Sequence, residues 1–121
     1  METKLGTLLD SEKALSVLGQ EKNLPASIKY RVAVVIGKLV DEVKRYSELQ
    51  KELLEKYAKL NDEKDRYVFN STEEAEAFSK EINALRDEPV ILSVTPFEIS
   101  NLDNTDISAI EMRSILWLIV E

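Results

Sequence analysis

The longest regular pattern of apolar positions in this chain runs from Pro25 to Leu60. Apolar side chains recur there at alternating spacings of four and three residues, which is a heptad pattern with one polar member. The seam consists of Val32, Ile36, Leu39, Val43, Tyr46, Gln50, Leu53, Tyr57 and Leu60. Further apolar residues on its flanks widen the stripe, so the helix is expected to pack against more than one element. The pattern predicts a long central helix over about residues 25–60.

Three shorter helices are predicted around the long one. The first covers about residues 7–18, where Gly19 has the residue type favoured just after a helix. The other two begin with a serine followed three residues later by a glutamate, the signature of a capping box. They run from Ser71 to about Arg86 and over about residues 108–120.

Two short segments rich in aromatic and β-branched residues predict strands, at about residues 66–69 and 90–94. The expected fold class is therefore α+β and mainly α, with a small antiparallel sheet or hairpin in a single domain, residues 1–121. In its core, the helix after Ser71 is expected to pack against both strands and the last helix. The residues expected to meet there are Phe78, Ile82, Leu85, Val68, Ile91, Ile115 and Ile119.

Composition removes several kinds of chemistry. The chain has no cysteine and no histidine, so disulfides, thiolate zinc sites and a cysteine nucleophile are excluded. With three glycines there is no glycine-rich phosphate loop, and no serine lies in a nucleophile-elbow motif. The segment from Asp103 to Asp106 lacks the glycine and terminal glutamate of a calcium loop. The expectation is a protein that is not an enzyme and has no metal or cofactor.

The charge of −7 is unevenly distributed along the chain. Residues 27–60 carry eight basic and five acidic side chains, whereas the remainder carries eight basic and eighteen acidic ones. A net negative charge repels phosphate backbones, so no direct nucleic-acid binding is expected. The charge also permits an acidic mimic of nucleic acid. The carboxylates of a mimic should form a regular exposed row, whereas the acids of this chain cluster at turns and helix starts.

Neither a membrane span nor an export signal is expected. No apolar run approaches the roughly 20 residues that cross a bilayer. The first residues lack the charged and then apolar pattern of a signal peptide, which predicts a cytoplasmic protein.

The predicted elements follow one another in a particular order along nearly the whole chain. A leucine-bearing first helix is followed by a short link with Leu24-Pro25-Ala26-Ser27-Ile28-Lys29-Tyr30 and by a long charged helix ending in Leu54-Glu55-Lys56-Tyr57. The strand Tyr67-Val68-Phe69, the helix with Phe78-Ser79-Lys80-Glu81-Ile82, the strand Pro89-Val90-Ile91-Leu92 and a short terminal helix follow. This order resembles the small uncharacterised proteins of tailed bacteriophages and prophages. The resemblance implies a phage or prophage origin and the cytoplasm of the bacterial host, and carries no activity.

These observations favour a non-enzymatic interaction protein, phage-encoded, that acts in virion assembly or binds a host protein. One alternative is an acidic nucleic-acid mimic or another inhibitor of a host defence enzyme. A second is a protein that binds and sequesters a small molecule.

Helix length adds the expectation of a homo-oligomer, most simply a dimer. A helix of about 35 residues is roughly 52 Å long, whereas a domain of this size is about 35 Å across. The interface is expected on Val32, Ile36, Leu39, Val43, Tyr46, Gln50, Leu53 and Tyr57. Gln50 would set the register between chains. The alternative is a kink that folds the rod into a hairpin, and Gly37 is the expected place for it, unless this glycine allows another backbone to approach closely.

Overall fold

The chain folds around one long, unbroken helix. The structure is a computed structural model that describes residues 1–120. Its helices are α1 (Leu5–Asp10), α2 (Glu12–Gln20), α3 (Ala26–Tyr57), α4 (Thr72–Arg86) and α5 (Ala109–Ser114), with 3-10 turns at Ile99–Leu102 and Leu116–Leu118. Its strands are β1 (Glu2–Lys4), β2 (Ala58–Leu60), β3 (Tyr67–Phe69), β4 (Pro89–Ile91), β5 (Phe97–Glu98) and β6 (Ile119–Val120). The protein is α+β and mainly α, as predicted.

Helix α3 confirms the prediction of a long central helix. It begins directly after Pro25, whose fixed backbone and missing N–H suit the first turn of a helix, and it continues for 32 residues. At 1.5 Å per residue this is a rod of about 48 Å. Gly37 lies within it, and the helix continues through this position without interruption, so the alternative of a break at Gly37 is wrong.

Residues 1–120 form three two-stranded sheets, of which two connect distant parts of the chain and one is a local hairpin. Strand β1 pairs antiparallel with β4, with Thr3 opposite Val90, and β2 pairs antiparallel with β3 as a hairpin. The hairpin confirms the predicted small antiparallel element. Strand β5 pairs with β6 in parallel, which was not predicted because their residues, such as Phe97 and Ile119, lie far apart in sequence.

The hydrophobic core lies between α1, α2, the first half of α3 and the C-terminal segment. Its most deeply buried large side chains are Leu8, Leu15, Leu18, Val32, Val35, Phe97, Ile115 and Leu118. The predicted core was wrong for several of the residues assigned to it. Ile115 is buried and Leu85 packs partly against the core, but Val68 is 49% exposed and Ile91 is 72% exposed. Val90 and Leu92 on either side of Ile91 are buried instead, because alternate residues of a strand face opposite sides.

The outer helices end differently from the prediction. The first helix is split at Ser11 into α1 and α2, and Gly19 lies inside the last turn of α2 instead of terminating it. A Cβ on Gly19 would lie 2.8 Å from Cδ1 of Ile36, so close packing against α3 explains this glycine. The last helix ends at Ser114, after which a 3-10 turn leads into β6 and its pairing with β5.

The second half of α3 leaves this core and forms a projection. We call residues 43–86 the arm: α3 from Val43, the β2–β3 hairpin and α4, which runs back along α3. The remaining residues form the body.

No helix within residues 1–120 combines the length and the apolar character needed to cross a membrane.

Candidate functional site

The arm contains apolar side chains but almost no buried ones. Between residues 40 and 89 the only buried residue is Ala58, and α4 contributes none. Its apolar seam is made of the half-buried side chains Leu53, Leu54, Tyr57, Phe69, Phe78 and Ile82. The seam lies between the end of α3, α4 and the β2–β3 hairpin, and no further element covers it within residues 1–120. Part of each side chain therefore stays in contact with solvent.

Contacts along the arm place α4 antiparallel to the end of α3. Nζ of Lys56 lies 3.7 Å from Oε2 of Glu81 and 4.9 Å from the centre of the Tyr57 ring. The neighbouring Tyr57, followed by the charge of Glu81, raises the pKa of Lys56. Oε2 of Glu81 is shielded from solvent and makes no hydrogen bond. The ion pair with the ammonium group of Lys56 partly compensates for the lost hydration of this oxygen. The rest of both side chains is largely exposed, so the ion pair contributes little stability.

Two aromatic rings close the far end of the arm. The ring centres of Phe69, in the hairpin, and Phe78, in α4, are 5.2 Å apart and tilted by 51°, a favourable geometry for an aromatic pair. The N-terminus of α4 begins beside this pair with Ser71, whose Oγ accepts a hydrogen bond from the N–H of Glu74. This cap confirms half of the predicted capping box, since the Glu74 carboxylate instead accepts from the side chain of Asn70.

Arg86 fastens the base of the arm to the body. Its Nη2 donates to both carboxylate oxygens of Asp10, at 2.8 and 2.9 Å, and to the carbonyl oxygen of Gly6 at 3.3 Å. The hydrogen bond to Asp10 raises the pKa of Arg86. Gly6 leaves room for this arrangement, because a Cβ there would lie 3.0 Å from Cβ and Nε of Arg86. The arm is thus fixed at one end and extends from the body at the other.

The residues of the predicted interface fall into three environments. Val32 and Leu39 are buried in the core of the body, so they cannot contribute to an exposed surface. Ile36 is partly buried against that core, as are Val43 and Tyr46 at the base of the arm. The last three, Gln50, Leu53 and Tyr57, lie further along the arm and are half-buried.

Sequence reasoning missed that the same surface includes residues of α4. Phe78 and Ile82 were assigned to the core from their helical spacing, yet they lie on the arm. Periodicity identifies the apolar face of a helix but not the element that covers it. The available signal was the length of α3, which exceeds what a body of this size can cover.

Polar groups elsewhere have structural partners. Ser11, the buried polar residue of the core, hydrogen-bonds to Trp117 and to main-chain carbonyls. Glu111 and Ser108 form the predicted capping box, and the hydrogen bonds of Ser108 to the Glu111 carboxylate lower the pKa of Glu111. Thr105 donates to the carbonyl oxygen of Leu102 and closes a turn.

Neither a metal-binding cluster nor a recognisable relative accompanies these features. Within residues 1–120, no three carboxylates lie close enough together to hold a metal ion. The largest feature without an intramolecular explanation is the partly covered seam of the arm. Comparisons with protein families, with curated proteins and with solved structures found no match to this chain.

Proposed function

We propose that this chain is a non-enzymatic interaction protein that forms a two-fold dimer through its arm. The observation that carries the proposal is the burial pattern. The fifty residues from 40 to 89 contain a single buried residue, although they hold six of the nine positions of the heptad seam. A partner laid on the seam would remove the remaining apolar surface from water, which is the main driving force for association. A second copy is always available and brings the same surface, and two-fold dimers are the commonest oligomers.

The dimensions of the arm are consistent with a dimer. The α3 segment Val43–Tyr57 and α4 are each about 22 Å long, and two helices side by side are about 20 Å wide, or roughly 450 Å² of flat area. Adding a hairpin of about 10 Å brings this to roughly 650 Å². A standard interface buries about 800 Å² per partner, with a range of roughly 600–1,000 Å². The arm reaches the lower part of this range when both helices and the hairpin take part.

Charge favours placing α3 of one copy against α4 of the other. The segment 43–57 has four basic and three acidic side chains, a net charge of +1, whereas α4 has four acidic and two basic ones, a net charge of −2. An antiparallel arrangement of two arms brings these opposite charges together at the rim. It also puts four helices around one apolar seam, the arrangement of a four-helix bundle.

The resemblance to small phage proteins suggests the setting. We propose that the dimer is phage-encoded and acts in the host cytoplasm, in virion assembly or by binding a host protein. The alternative of an acidic nucleic-acid mimic has less support, because several carboxylates are used in internal ion pairs, including Asp10 with Arg86 and Glu42 with Lys38 and Arg45. Such paired charges do not form a regular anionic row.

Light scattering after size exclusion, at micromolar concentration, tests the dimer. The expected mass is twice the chain mass of 13.8 kDa. Leu53→Asp and Ile82→Asp place a charge in the seam and should return the protein to the mass of one chain. Ile110→Asp is the matched control, because Ile110 is 84% exposed on α5, outside the arm. It should leave the mass unchanged.

Circular dichroism separates loss of association from loss of folding, since the charged variants must keep the helical signal of the parent. Val68→Asp gives a second reading, because Val68 is already 49% exposed and tolerates a charge in the monomer. A parent protein with the mass of one chain throughout the concentration range would contradict the proposal.

A further inference from the structure

A groove on the body, away from the arm, has the features of a ligand site. It lies between the last turn of α2 and the first half of α3, with a volume of about 540 Å³. Its apolar surface comes from Ile36 and Ala33, while Leu18 and Val32 lie beneath them with almost no exposed surface. Gly19 and Gly37 also line it. Sites for small molecules have volumes of about 300–1,000 Å³ and walls that are mostly apolar.

The two glycines shape the groove in different ways. Ile36 lies directly against Gly19, with its Cδ1 only 2.8 Å from where a Cβ would be. A Cβ on Gly37 would meet no atom within 4 Å, so nothing in residues 1–120 explains a glycine inside this helix. Glycine there weakens the helix compared with alanine. The open space over Gly37 is what a ligand lying along α3 would use.

The charges at the groove are positive although the chain is acidic. Lys22 and Lys29 line it, and no carboxylate of residues 1–120 is within ion-pair distance of either. Glu21 is the acid in the lining, but its two oxygens accept hydrogen bonds from the N–H groups of Asn23 and Asp106. No acidic residue occurs in residues 27–40. The site thus offers two free ammonium groups beside an apolar surface.

These observations define the occupant. A second copy is disfavoured, because a two-fold contact at the groove would bring these lysines against their equivalents. We propose that the groove binds a small amphipathic anion, with an aliphatic or aromatic tail over Gly19 and Gly37 and a carboxylate between Lys22 and Lys29. Binding buries the apolar tail of the ligand, and the carboxylate fixes the orientation of the ligand. This binding does not depend on the arm or on dimerisation.

Calorimetry with decanoate below its micelle concentration tests the proposal on the full chain. Decanoate is expected to bind with saturation. Decanol should bind at least tenfold more weakly because it lacks the charge, and acetate should not bind measurably because it lacks the apolar tail. The double variant Lys22→Gln, Lys29→Gln should weaken decanoate at least tenfold. Its matched control is Lys4→Gln, Lys13→Gln, two exposed lysines outside both the groove and the arm, which should leave the affinity unchanged.

Gly37→Leu provides an independent test, because leucine favours the helix and its side chain would fill the groove. We expect it to abolish decanoate binding with no fall in Tm. Absence of decanoate binding to the parent, or equal binding by the parent, the lysine variant and Gly37→Leu, would overturn the proposal. So would a change of oligomer mass in Gly37→Leu, which would assign the groove to a second copy.

Discussion

The indole Nε1–H of Trp117 donates a 2.9 Å hydrogen bond to Oγ of Ser11, a side chain with no exposed surface. The serine hydroxyl has one hydrogen to donate, and the carbonyl oxygens of Thr7 and Ser114 lie 2.8 and 2.9 Å away. One small side chain therefore joins the break between α1 and α2 to the C-terminal segment. This junction positions the segment that completes the core.

Replacing Ser11 should be costly. Ser11→Ala leaves the indole N–H of Trp117 and the Ser114 carbonyl without this partner in a partly buried place. We expect a loss of about 1–3 kcal/mol in the free energy of unfolding. Urea denaturation measures it, and Trp117, the single tryptophan, reports the local change by fluorescence. Ser16→Ala, at an exposed position of α2, is the control and should change stability by less than about 0.5 kcal/mol. Equal effects of the two changes would contradict this role of Ser11.

The position of the core can be tested by comparing the stability losses of two substitutions. Phe97 has no exposed surface, so Phe97→Ala should cost about 3–5 kcal/mol. Ile91 was expected in the core from its sequence but is 72% exposed, and Ile91→Ala should cost less than about 1 kcal/mol. Thermal or urea unfolding of both variants checks this. A larger loss for Ile91 than for Phe97 would mean that the core has been placed wrongly.

Two glycines in helices should respond in opposite directions to alanine. Gly37→Ala adds a Cβ in open space and should stabilise by about 0.5–1 kcal/mol through helix propensity. Gly6→Ala puts its Cβ 3.0 Å from Arg86, which is held by Asp10, and should cause a net loss of up to about 2 kcal/mol. The midpoints of urea unfolding provide the comparison. Stabilisation by both changes would show that Arg86 can move away without cost.

The attachment of the arm depends on Arg86. Arg86→Gln removes the paired hydrogen bonds to Asp10, so amide hydrogens of α4 should exchange faster while those of α2 are unchanged. Hydrogen exchange read by mass spectrometry measures this. Lys4→Gln is the control, because the ion pair of Lys4 with Asp87 is exposed at both ends and contributes little. Uniform acceleration throughout the chain would instead indicate global destabilisation.

The capping box of α5 should give a small pH dependence. The pKa of Glu111 is lowered in the folded chain by its hydrogen bonds with Ser108, so its contribution is fully present above the ordinary pKa of 4.5. It is lost as the pH falls through the lowered value. The difference in Tm between the parent and Glu111→Gln should therefore shrink towards zero as the solution is acidified below 4.5.

Local patterns in the amino-acid sequence were enough to predict several elements of this fold. The heptad spacing located α3, the caps at Ser71 and Ser108 located the starts of two helices, and β-branched and aromatic residues located β3 and β4. These signals act over a few residues, since hydrogen bonds, backbone preferences and side-chain spacing along a helix are all local.

The covering of each apolar face depended on the tertiary arrangement. The spacing of apolar residues in α4 is the same whether Ile82 packs in a core or lies in the half-buried seam of the arm. The pairing of β5 with β6 and the hydrogen bond from Trp117 to Ser11 join residues far apart in sequence. The groove beside Gly37 likewise exists because α2 packs against α3 at Gly19. Burial is a property of the whole packed chain, so a pattern that shows which residues are apolar does not show what lies over them.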